Sequence, residues 1–189
     1  MLEKIIQLDK ELFVFLNGLG SESFDGMWLL ITKQLHWTPF FLVIFYLLFK
    51  KLGWKHLLLI LVSIALMMVF TDQLTNLVKN SVQRLRPCND LEIKDVIRIV
   101  KSSDTFSYFS GHAMNSTAAT MFVYLILKKY YRYAFLLFLF PLIFAYSRIY
   151  LGLHFPTDIL SGYVFGAVSG FIFFKLYSYF RKKYFPESI

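Results

Sequence analysis

The run Ser147-Arg148 to His154-Phe155-Pro156-Thr157-Asp158 sets an arginine, a histidine and an aspartate between two long apolar stretches. Ionisable groups beside hydrocarbon are costly and persist mainly where they line a site or a pathway. His154 and Asp158 are four residues apart. With Pro156 in the first turn of a helix, the carboxylate falls under the imidazole of the preceding turn. A histidine held this way has one ring nitrogen hydrogen-bonded and the other free to attack. Two further polar sets accompany it: Lys79 with Arg84 and Arg86, and Ser110-Gly111-His112. A helix opening at Gly111 presents unpaired backbone N–H groups to an anion, and glycine there lets a ligand approach closely. Arginine forks match phosphate oxygens and lysine adds a point charge. The constellation suits phosphoryl transfer, which asks a protein to position the group and neutralise its equatorial oxygens. It calls for no metal and no cofactor. Cys88 is the sole cysteine, which rules out an internal disulfide and a cysteine-based metal site.

These sets must be positioned by membrane helices. Hydrophobic residues make up 57% of the 189 residues, far above a soluble composition, and several runs approach the roughly 20 apolar residues that a span needs. The fold class expected is an all-α, polytopic membrane bundle of about five transmembrane helices, preceded by an N-terminal interfacial amphipathic helix. The whole chain, 1–189, reads as one membrane-embedded domain.

Residues 2–17 carry Ile5, Leu8, Leu12, Phe15 and Leu16 on one helical face. Acidic residues there (Glu3, Asp9, Glu11) argue against a cleavable signal peptide over Met1 to Asn17. Asn17 to Gly26 reads as a turn or loop. The bundle then occupies 27–180. Its first span runs from about Met27 to Phe49, interrupted by Thr32-Lys33-Gln34 and His36, with Pro39 as a kink. The second begins at Leu57 and acquires a polar stripe at Asp72, Asn76, Lys79, Gln83 and Arg86, spaced to share one helical face. A mixed-charge loop follows over 87–109, with a short amphipathic piece near Leu91 to Val100. The remaining spans are Gly111 to Leu127, about Tyr133 to Tyr146 with Pro141 as a kink, and Thr157 to Phe180. In the last, Gly162, Gly166 and Gly170 form a stripe suited to close helix contact.

The net charge of +8 is gathered in clusters at span ends: Lys50/Lys51/Lys55, Lys128/Lys129/Arg132 and Arg181/Lys182/Lys183. That is the pattern of membrane topology, not of nucleic-acid binding. It places the clusters and the C-terminus in the cytoplasm, and the three polar sets on the outer face of a bacterial-type inner membrane. Arg84 has a competing reading as a span-end charge, and Lys94, Arg98 and Lys101 read as such. His36 and His56 read as structural, and Asp72 and Asn76 as interhelical hydrogen-bonding groups.

The same residues resemble the type 2 phosphatidic acid phosphatase family, membrane lipid phosphatases that share their site with vanadium haloperoxidases. Lys79 and Arg86-Pro87 match the family's first motif. Ser147-Arg148, His154 and Asp158 match its third. Phe109-Ser110-Gly111-His112 matches its second, apart from phenylalanine where the family usually has proline. The resemblance implies that His154 attacks phosphorus to form a phosphohistidine, that Asp158 orients its ring, and that His112 protonates the leaving oxygen and then activates water. It implies that Lys79, Arg86, Ser110, Gly111 and Arg148 hold the phosphate oxygens. The expected partners are the bilayer and a lipid phosphate: undecaprenyl diphosphate, phosphatidylglycerol phosphate, phosphatidic acid or a lipid A phosphate. No protein partner is indicated. A lipid phosphotransferase, or a non-catalytic anionic-lipid-binding protein, are the alternatives.

Overall fold

The computed structural model describes residues 2–185. Met1, where the N-terminal segment starts, and residues 186–189 of the 1–189 domain lie outside the described residues. The chain order is α1 (Leu2–Gly18), α2 (Glu22–Ile31), α3 (Thr38–Val82), α4 (Gly111–Leu127), α5 (Leu139–Tyr150) and α6 (Pro156–Tyr184), with 3-10 turns at Gln34–Trp37, Pro87–Asn89 and Ala134–Phe138. No strand occurs among the described residues. Of the described helices, α3 and α6 are long and apolar enough to cross a membrane. α3 is not straight: Gly53 takes φ +75°, which a side chain would strain, and divides the helix.

Several expectations are corrected. The segment 22–26 is helical, not loop, because Ser21 in an extended conformation starts α2 there. The run Met27 to Phe49 is not one helix, since α2 ends at Ile31 and α3 begins only at Thr38. Pro39 therefore kinks nothing: it sits in the first turn of α3, where its missing N–H costs no hydrogen bond. The polar stripe of α3 stops at Lys79, because Gln83 adopts a left-handed cap and Arg86 lies beyond in extended backbone. The piece near Leu91 to Val100 forms turns and no helix. Pro141 lies in the first turn of α5, just after the 3-10 segment.

α4 and α6 pack backbone to backbone along the glycine stripe. A Cβ added at Gly162 would fall 2.7 Å from the Ser110 carbonyl, at Gly166 2.5 Å from that of Met114, and at Gly170 2.5 Å from that of Ala118. Phe109 fills the space beside this seam, fully buried and stacked on Phe165 with ring centroids 5.0 Å apart.

The two ends of the bundle differ. At one, Lys51 lies over the Tyr131 ring and His56 over that of Phe185, so the three basic clusters gather together. At the other, α1 lies across the ends of α5 and α6 with its apolar face turned away from the protein, as an interfacial helix has it. Asp9, Phe13 and Asn17, spaced four apart, are buried, whereas Ile5, Leu8, Leu12 and Phe15 are exposed. Asn17 donates to the carbonyls of Arg98, Ile149 and Tyr150 and accepts from the Arg98 amide. Arg98, read from sequence as a span-end charge, pairs with Asp25 at 2.8 Å. The Arg98 guanidinium, and then the Tyr150 hydroxyl, hold the Asp25 carboxyl below its usual range.

Candidate active site

The turn between α5 and α6 is closed by its own backbone: the Arg148 carbonyl accepts from the amides of Leu153 (2.9 Å) and His154 (3.2 Å). Pro156 opens α6, and Asp158, two residues on, caps it by accepting from the Phe155 amide at 2.9 Å. The carboxylate consequently lies beneath the imidazole, with His154 Nδ1 3.4 Å from Asp158 Oδ2. His154 is 1% exposed, so its ring faces protein and not lipid.

The tautomer follows from the donors around the ring. Arg86 Nη1 lies 3.1 Å from His154 Nε2, and a guanidinium has no lone pair to offer. Nε2 must therefore be the acceptor, leaving the proton on Nδ1, where Asp158 and the Ser107 hydroxyl (3.3 Å) lie. This is the state of an imidazole whose Nε2 can attack.

Asp158 is saturated. Oδ2 accepts from the Phe155 amide and the Ser107 hydroxyl, and Oδ1 accepts from Arg84 Nη1 at 2.8 Å. Arg84 is itself clamped. Its Nη1 also reaches the Thr157 hydroxyl (2.9 Å), its Nη2 donates to Asp9 Oδ2 (2.7 Å), and its guanidinium lies 3.9 Å from the centre of the Phe155 ring. Asp9 also accepts from the Thr157 amide at 2.9 Å and from its hydroxyl at 2.5 Å. Arg84 thus makes contacts that a span-end charge does not need. Spacing alone left it open, while Asp9, Ser107 and Thr157 carried no local signal because their partners are distant in sequence.

The remaining expected residues converge from other elements. Arg86 is buried, with Nε and Nη2 on the Thr105 carbonyl and hydroxyl (both 2.8 Å) and Nη1 also on the Leu153 carbonyl (3.0 Å). Arg148 donates to the Thr32 hydroxyl at 2.6 Å, while its buried Nε has no hydrogen-bond partner among the described residues. His112, in the first turn of α4, stacks on Phe144 with centroids 5.1 Å apart and lies within electrostatic reach of Arg148, His154, Lys79 and Arg86. Lys79 is likewise within reach of Arg86, Arg148 and Asp158. Ser110 is the N-cap of α4: its hydroxyl accepts from the Ala113 amide, and its own amide donates to the Asp158 carbonyl at 3.0 Å. Gly111 faces Thr75, whose methyl would lie 3.3 Å from an added Cβ. His56 lies at the opposite end of the bundle and His36 is exposed. Three cations and two imidazoles around one helix N-terminus can bind a phosphoryl group, attack it and move a proton.

A family model described as the PAP2 superfamily matches residues 56–182. A lipid A 4'-phosphatase of Bacteroides thetaiotaomicron is 34% identical over 178 residues, covering 92% of this chain and 79% of the relative. A lipid A 4'-phosphatase of Porphyromonas gingivalis is 28% identical over 190 residues, covering 99% and 80%. The fold is similar to the crystal structure of a transmembrane PAP2-type phosphatidylglycerolphosphate phosphatase from Bacillus subtilis, with a TM-score of 0.68 at 21% identity, covering 96% of this chain and 88% of that one.

Proposed function

This chain belongs to the PAP2 superfamily and is a membrane lipid phosphatase, and from that premise we propose that it removes a sugar-linked phosphate monoester from a lipid A-type glycolipid through a phosphohistidine on His154. Likeness to two lipid A 4'-phosphatases along nearly the whole chain supports the substrate. The hydrolase names of relatives matched along nearly the whole chain favour catalysis over a purely lipid-binding role. The observation that carries this reading is the 3.1 Å approach of Arg86 Nη1 to His154 Nε2, which supports a lone pair on that nitrogen.

In the first step His154 Nε2 forms a bond to phosphorus while the bond to the lipid oxygen breaks, and His112 gives that oxygen its proton. In the second, His112 takes a proton from water, the hydroxide attacks phosphorus, and the P–N bond returns its electron pair to His154. Asp158 balances the positive charge on the ring. Lys79, Arg86, Arg148, Ser110 and the Gly111 amide hold the phosphate oxygens. No step uses a metal or a cofactor.

The two arms of α3, with α4, the apolar stretch Ala134–Tyr150 and α6, are read as about five membrane-crossing segments in a single catalytic unit. α1 lies at the interface, its apolar residues toward lipid. The basic end and the C-terminus face the cytoplasm by the positive-inside rule, and the site faces the outer side of a bacterial-type inner membrane.

The test is phosphate release in detergent with EDTA, from lipid A, phosphatidylglycerol phosphate, phosphatidic acid and undecaprenyl diphosphate. Lipid A should be the best substrate. His154→Ala should lower turnover by about a thousandfold or more, and His112→Ala by about a hundredfold or more. Equal release by wild type and His154→Ala would end the mechanism, and a requirement for added divalent metal would end its metal-free form. Turnover that depends on an added alcohol acceptor would convert the reading to a phosphotransferase.

A further inference from the structure

Below the cationic cluster, two adjoining cavities run between α3, α4 and α5. The upper, about 180 Å³, is lined by Asp72, Asn115, Ser116, Phe144 and Gln34 among others. The lower, about 160 Å³, is apolar, with Ile64, Val123 and Leu137 in its wall. Both share Gln34, Phe41, Met68, Ala119 and Phe140.

Helical spacing ties this groove to the catalytic end. Asp72 lies seven residues before Lys79, two turns along the same face of α3, about 10 Å away at 1.5 Å per residue. Asn115 and Ser116 follow His112 by one turn of α4. Phe144, in the upper wall, is the ring on which His112 stacks. A lipid with its phosphate at His154 would send the atoms next to the phosphate past Asp72 and its chain toward Val123 and Leu137.

Asp72 is the anomaly in this groove. It is an exposed carboxylate in the apolar course of α3, where charge is expensive. Its one hydrogen bond among the described residues comes from Asn115 Nδ2, at 2.7 Å. That bond fixes the Asn115 amide, whose carbonyl oxygen has no partner among the described residues, and leaves the second oxygen of Asp72 to accept from something else. A carboxylate accepts only, and here it would repel a second anionic group.

Building on the phosphatase reading, we propose that Asp72, oriented by Asn115 and accompanied by Gln34, is a specificity-determining acceptor for the hydroxyl or amide N–H groups of an acylated amino sugar, and that the apolar cavity takes one of the acyl chains. A lipid with no donor at this position would cover the carboxylate and leave its second oxygen without a partner, and sites built to hydrogen-bond their substrate discriminate strongly for that reason.

The experiment compares kcat/KM of the full-length protein in detergent for two substrates of matched chain length, a phosphorylated N-acyl glucosamine lipid and phosphatidic acid. Asp72→Asn should lower the sugar-to-phosphatidate ratio about tenfold to a hundredfold. Gln34→Ala, at an exposed position in a 3-10 turn, should lower it about threefold, by removal of a weaker neutral hydrogen bond. Both substrates are read on the same sample, so loss of folded protein does not move the ratio. Ala119→Leu should penalise long-chain more than short-chain versions of the sugar lipid. A ratio unchanged in both polar variants, or a chain-length effect absent in Ala119→Leu, overturns the groove. The parent reading is judged separately: hydrolysis of either lipid by wild type and its loss in His154→Ala uphold the phosphatase whatever the ratio does.

Discussion

The two sides of the catalytic pocket are built on opposite plans. On the side of α1 and the start of α6, His154, Asp158, Arg84, Asp9, Ser107 and Thr157 form a closed set of hydrogen bonds and ion pairs. On the side of α3, α4 and α5 there are cavities, aromatic rings and one polar pair with acceptors to spare. An in-line attack tolerates little error in the position of the nucleophile, which favours a saturated network. Admission of a lipid needs vacant space and unspent hydrogen-bonding capacity. On the proposed function, one wall holds the nucleophile and the other receives the lipid.

Substitutions on the holding wall should affect kcat more than KM. Asp158→Asn should lower kcat about a hundredfold to ten-thousandfold, since the amide can present its NH₂ to Nδ1 and favour the wrong tautomer. A KM effect alone would remove the division between the walls. Arg84→Gln should cost about ten- to a hundredfold in kcat with little change in KM, and Arg84→Lys should recover part of it by keeping the charge toward Asp158. A purely structural arginine would show no such partial rescue in turnover per folded molecule. Asp9→Asn should follow in the same direction at about three- to tenfold, through loss of one charge-assisted bond to Arg84. Gly166→Leu addresses the seam joining the walls. Its side chain would enter the Met114 carbonyl, at a cost of about 1–3 kcal/mol, read as a lower melting temperature in detergent.

The smallest effect lies farthest from both walls. Asp25→Asn should lower the melting temperature slightly at pH 7. Because Arg98 depresses the folded pKa of Asp25, its contribution is present above the usual value of 3.8 and disappears as pH falls through the lower folded value. The difference from wild type should shrink over that range. A constant difference would assign the effect to shape and not to charge.

Much of this architecture was legible in the residue pattern, for identifiable reasons. The bounds of α4 could be read from the polar Ser110-Gly111-His112 opening and the basic Lys128-Lys129 close, and the helical spacing of His154 and Asp158 placed one above the other before any coordinates. Contacts between groups far apart in sequence were not legible. Asp9 meets Arg84 and Thr157 across 75 and 148 residues, and nothing local marks an aspartate in an amphipathic helix as pointing inward. In α1 the apolar residues grouped on one face leave the protein free, as an interfacial helix requires, while the polar face that meets the bundle could be identified only from its distant partners. Arg86 and Gln83 fitted a helical stripe by spacing, yet the left-handed residue at 83 ends the helix first.

The glycine seam also settles what can move. With α4 and α6 in backbone contact along three glycines, His112 on α4 and His154 just before α6 are carried by one tightly packed pair of helices. On the proposed function, the opening that would admit a lipid and release its product is expected of α3, which is divided at Gly53. Turnover should respond to stiffening of that hinge sooner than to substitutions in the seam that leave the site residues in place.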